Sequence, residues 1–231
     1  MIPVYPFGLT ATGHIRLSRE VIAMPLQNRV NPAGEIVADP GRGLLMGNRG
    51  CLHGPDRTLG ISRWRSKMWI ACVLDWRGRK RDPMPAGRWT ALFFLDEATA
   101  LAAGHRPCGY CRREDYVAYA EAWRQAAGLN RRPRAGEMDT RLHAERLQPR
   151  TRRKRTRASV IGDQPDGAMV RYEGVSGVIT GRRFLPWSFA GYGAPVSLAA
   201  DTAVELLTPP ASVAVIAAGY RPMIHPTAFH R

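Results

Sequence analysis

The chain has 231 residues, 45% of them hydrophobic, enough for a buried core and incompatible with disorder throughout. Against 19 Asp and Glu stand 34 Lys and Arg, a net charge of +15. A surplus of that size points to a polyanionic partner, nucleic acid first, and the absence of a long unbroken apolar run excludes a membrane-spanning helix.

Residues 1–10 are short, mixed and broken by proline, which does not fit a signal peptide. A cytoplasmic location follows as an expectation, with thiols kept reduced, so the four cysteines point to metal or catalysis before disulfides. Residues 1–40 read as an extended segment of short strands and loops. Glycine at four of the ten positions 41–50 reads as a tight-turned loop leading to Cys51.

Residues 67–76 read as a strand carrying Trp69, Ile70, Cys72, Val73, Leu74 and Trp76, stopped by Arg77-Gly78. A second strand covers 89–95. Asp96 is an N-cap for an Ala-rich helix that Gly104 ends in a left-handed C-cap. The next helix runs from about Cys111 to Ala127, with Tyr116, Tyr119, Ala120 and Trp123 on one face, and Gly128 closes it. A third helix covers 136–147, with a thin apolar face of Met138, Leu142 and Leu147. A basic run follows at 148–157. Strand-like pieces at 160–161, 168–172, 175–180 and 204–207 suggest a small antiparallel sheet or partial barrel. Pro209-Pro210 opens a last helix that Gly219 stops.

Zinc takes four soft or borderline ligands in a tetrahedron. Cys108 and Cys111 form a Cys-x-x-Cys turn that opens a helix, whose N-terminal amides and dipole favour thiolate. The remaining ligands come from Cys51, Cys72 and His53: Cys51 is the expected third, and Cys72 and His53 compete for the fourth place. Zn2+ is the expected cofactor.

Phe93-Phe94, Asp96-Glu97-Ala98, Ala102-Ala103-Gly104, Arg106-Pro107-Cys108 and Cys111-Arg112 together resemble the metal-binding domain of the Ada DNA-repair proteins. The resemblance covers residues 93–113 and reaches back to Ile70-Ala71-Cys72. It implies a zinc module in which a strand with aromatic residues leads to an Ala-rich helix and a Cys-x-x-Cys turn. In that family four cysteines hold zinc, and the first accepts methyl groups from DNA phosphotriesters. Cys72 is the matching position. The family's first pair is spaced Cys-x-x-x-Cys, whereas here Trp76 stands at that spacing from Cys72 and Pro55 at that spacing from Cys51.

The expected fold class is α+β: a treble-clef-like, Ada-like zinc module at 41–128 with flanking helices, a basic helix and linker at 129–157, and a β-rich part at 158–231. Two segments interleave cations with indoles, which lets cations meet phosphates while rings stack on bases. Expected contacts are Arg63, Arg65, Lys67, Arg77, Arg79, Lys80, Arg112, Arg113, Arg152, Arg153, Lys154 and Arg155. The leading expectation is a zinc-containing protein that binds nucleic acid, DNA before RNA, in a DNA-repair context. Alternatives are an enzyme acting on DNA, by methyl transfer to Cys72 or as a nuclease using Asp139, His143 or Glu145, and a zinc-stabilised adaptor.

Overall fold

The computed structural model describes residues 24–79, 82–149, 151 and 153–229. Expectations for residues 1–23, Lys80 and Arg152 lie outside the described residues. Among the described residues, four α-helices and two six-stranded sheets form an α+β fold. The first sheet contains β1 (Gln27–Val30), β2 (Ile36–Ala38), β3 (Leu45–Asn48), β4 (Ile70–Val73), β5 (Leu92–Phe94) and β6 (Arg106–Pro107), in the order β2-β1-β5-β3-β4-β6. The second contains β7 (Arg157–Val160), β8 (Met169–Tyr172), β9 (Val175–Thr180), β10 (Arg183–Ser188), β11 (Gly191–Tyr192) and β12 (Ala203–Leu206). Its order is β11-β10-β9-β8-β12-β7, antiparallel throughout. The helices are α1 (Glu97–Ala102), α2 (Arg113–Ala126), α3 (Ala135–Arg146) and α4 (Pro210–Ala217).

The glycine-rich stretch 41–50 is not wholly a loop. It contains β3, which lies between β4 and β5 inside the sheet. Gly47 is needed there because a Cβ at that position would sit 2.1 Å from the Ile70 carbonyl oxygen. The glycine marks a close approach of two backbones rather than a turn.

Helix α1 joins the parts of the molecule. All six of its residues are buried. Ala100 and Ala103 pack with the first sheet against Val30, Leu45, Leu92 and Phe94. Ala98 and Ala102 pack on the other side with Met169, Val178 and Leu185 of the second sheet. Leu101 joins Tyr119, Trp123, Met138, Leu142 and Ile216 of the other three helices. Alanines suit this helix because neighbours approach it from three sides. Its buried polar ends are satisfied in full: Asp96 accepts from the Thr99 amide (2.8 Å), the Tyr192 hydroxyl (2.7 Å) and the His225 amide (3.0 Å). Glu97 accepts from the Tyr220 hydroxyl (2.7 Å) and pairs with Arg112 (2.9 Å).

Beyond α1, Gly104 takes the expected left-handed conformation with φ of +87°. A cluster of cations gathers at this end. The guanidinium carbons of Arg146 and Arg49 lie 3.6 and 4.0 Å from the ring centre of buried Trp69. They donate to backbone carbonyls: Arg146 to Gly104 (2.9 Å) and Lys67 (2.8 Å), Arg49 to Gly34 (2.9 Å). Lys154 donates to the Ala102 carbonyl. Burial, then the charges of Arg49 and Arg146, push the Lys154 ammonium down to about 7. An unfolded lysine titrates near 10.4, so between pH 7 and that value the unfolded chain binds the extra proton and stability rises with pH. The urea midpoint is expected to increase from pH 7 to 9.5 by more in the wild type than in Lys154→Met. Equal increases would remove Lys154 as the cause.

Candidate metal centre and the basic surface

The cysteine cluster is assembled by one short parallel pairing. Strand β6 runs beside β4, with Ile70 opposite Arg106 and Ala71 opposite Pro107. The Cys108 amide continues the ladder by donating to the Ala71 carbonyl (2.9 Å). That contact sets Cys108 beside Cys72, the next residue of β4. The turn through Gly109 and Tyr110 returns Cys111 to the same place, and α2 starts two residues later. The Sγ atoms of Cys72, Cys108 and Cys111 all lie within 4.8 Å of one another.

The donor chemistry fits a thiophilic ion. Hydrogen bonds from the Cys111 and Cys72 thiols hold Cys108 far below the usual thiol range, helped by the Cys111 and Tyr110 amides. Cys72 is pushed up by its hydrogen bond with Cys108. A metal cation binding the three sulfurs would displace the protons they share. Met46 stands opposite Cys72 in the antiparallel register of β3 and β4, so both side chains leave the sheet on one face.

Cys51 and His53 do not join the cluster. The His53 ring has both nitrogens engaged, Nδ1 with the Thr90 hydroxyl at 2.6 Å and Nε2 with the Pro85 carbonyl at 3.2 Å. The Cys51 Sγ lies 3.8 Å from the His53 carbonyl oxygen, in the same loop. Among the described residues, the three-cysteine group is the only set of three or more His, Cys, Asp or Glu that could hold a metal ion. Of the five candidate ligands, three converge, and Cys51, the expected third, and His53 are placed elsewhere.

The helix with Asp139, His143 and Glu145 carries no free catalytic set. Buried Asp139 receives two hydrogen bonds from buried Arg106, each of 2.8 Å. Glu145 accepts from the Ala211 amide (2.8 Å) in the first turn of α4. His143 packs edge-on against Trp64, with ring centres 4.5 Å apart, and its Nδ1 lies 2.9 Å from an Arg146 nitrogen. The sequence offers these three as nuclease candidates because helical spacing says nothing about partners far along the chain.

Several expected nucleic-acid contacts also turn inward. Arg112 is buried between Glu97 and Asp115. Lys154 is half-buried on Ala102, and Arg155 donates to the Ala144 carbonyl. Trp69 is a core residue held between the two guanidinium groups. The side chains of Arg63, Arg65, Lys67, Arg77, Arg79, Arg113 and Arg153 are exposed, as a phosphate-binding role requires.

No helix among the described residues is long and apolar enough to cross a membrane. The chain matches no family model, no curated protein and no solved structure.

Proposed function

We propose that the chain is a zinc–thiolate protein that binds nucleic acid, DNA before RNA, with Cys72, Cys108 and Cys111 as its protein ligands. The convergence of three thiols within 4.8 Å carries the metal part of the reading. An all-sulfur donor set suits Zn2+, which when bound neutralises the thiolates and cross-links β4 to the start of α2. The order strand, Ala-rich helix, Cys-x-x-Cys turn and helix supports an Ada-like module. That likeness is what links the reading to DNA repair. The chain's own residues supply the partner's footprint: exposed cations at 63–67, 77–79, 113 and 153, within a net charge of +15.

The test is fluorescence anisotropy with labelled DNA at 50 to 200 mM salt. Neutralising about five phosphates gives a log–log slope near −4.5, a loss on the order of 500-fold across that range. Absence of binding at 50 mM salt would overturn the nucleic-acid part and leave the metal part standing.

A further inference from the structure

A cavity of about 230 Å³ opens over the three cysteines. Its walls include Trp76, Trp89 and Tyr110, with Asn48 among apolar side chains. Tyr110 lies inside the Cys-x-x-Cys turn and is 64% exposed. Its ring packs against Trp76 with centres 5.4 Å apart and planes at 57°. The Arg77 guanidinium carbon lies 5.1 Å from the Trp76 ring. The buried Nε1–H of Trp76 has no acceptor among the described residues. Apart from the three cysteines, the lining is aromatic and aliphatic with a single amide, Asn48.

We propose that this cavity takes an unpaired nucleobase. The base stacks on the exposed Tyr110 ring, which Trp76 backs from the cavity wall. Arg77, Arg79 and Arg113, all exposed and none in an ion pair among the described residues, meet the flanking phosphates. Aromatic stacking is tolerant of base identity because every base has a π face. A duplex keeps its bases inside the stack and must unpair one to fill the cavity, so the site favours single strands. The inference rests on the nucleic-acid reading above and names the form of nucleic acid that the site prefers.

The experiment compares the full-length, metal-loaded protein on three labelled oligonucleotides at one salt concentration: a single strand, its duplex, and a single strand with abasic sugars. The single strand is expected to bind at least about tenfold more tightly than the other two. Tyr110→Ala loses that factor on the base-bearing strand and nothing on the abasic one, with an unchanged salt slope; Tyr110→Phe keeps the wild-type affinity. Because Tyr110 is exposed, melting temperature and metal content stay at wild-type values. Equal affinity for all three oligonucleotides, or an unaffected Tyr110→Ala variant, would overturn the cavity assignment while leaving nucleic-acid binding intact. Binding to none of them overturns the underlying reading, and the cavity assignment with it.

Discussion

Replacing Cys108 with serine is expected to abolish stoichiometric metal binding. Cys72→Ser and Cys111→Ser behave the same way, whereas Cys51→Ser binds one ion per chain as the wild type does. A protein ligand is worth more than the outer-shell partners whose loss costs about 10–100-fold in affinity. The loss is therefore visible by mass spectrometry of metal content after dialysis. Stability follows by linkage: at a metal concentration a thousand times Kd, the loaded wild type gains about 4 kcal/mol that the serine variants lack. Chelation of the wild type reproduces the variant melting curve. Metal loss in Cys51→Ser equal to that in Cys108→Ser would refute the ligand set. The contrast works because Cys51 sits in the loop pinned by His53 and Thr90.

Asp139→Ala has the second large effect, and it falls on stability. The substitution strands the Arg106 guanidinium in the core without its carboxylate, at a cost of about 3–5 kcal/mol. For a domain of this size that lowers the melting temperature by roughly 6–20 °C. Replacing both partners, Arg106→Met with Asp139→Leu, recovers most of the loss, because removing a buried pair together leaves no orphaned charge. Calorimetry of the two single variants and the double decides the matter. A stable Asp139→Ala protein would show that the pair contributes little and would reopen a chemical role for that carboxylate. Position explains the size of the effect: Arg106 belongs to β6, so this pair anchors α3 to the strand that delivers Cys108.

What could be read from the sequence was local. Asp96 and Gly104 bracket α1 as an N-cap and a left-handed stop, and Pro210 at the first helical position and a left-handed Gly219 bracket α4. Cys108 and Cys111 announce a site that could hold an ion because two intervening residues fix their separation. Strand β3 was hidden because Gly47 looks like turn chemistry until Ile70 is placed against it. Strand β10 was hidden by Pro186, which argues against a strand unless a partner such as Gly177 is known. The choice among Cys51, Cys72 and His53 depends on the pairing of β4 with β6, a register between segments more than 30 residues apart in which only Cys72 takes part. Arg49 and Arg146 escaped notice, and Arg112 reads as a nucleic-acid contact, for a different reason. A charged residue is normally at the surface, and only the tertiary arrangement shows carbonyls, carboxylates and an indole ready to receive it.

Helix α1 sets how the chain comes apart. Four of its six residues, Ala98, Ala100, Leu101 and Ala102, are shared among three apolar clusters, so no cluster can open without exposing part of the same segment. Fragments ending near residue 128, or beginning near residue 158, would each carry an interface meant for the other. Limited proteolysis should therefore yield two pieces that stay associated and melt together, as one cooperative unit stitched through a buried peg.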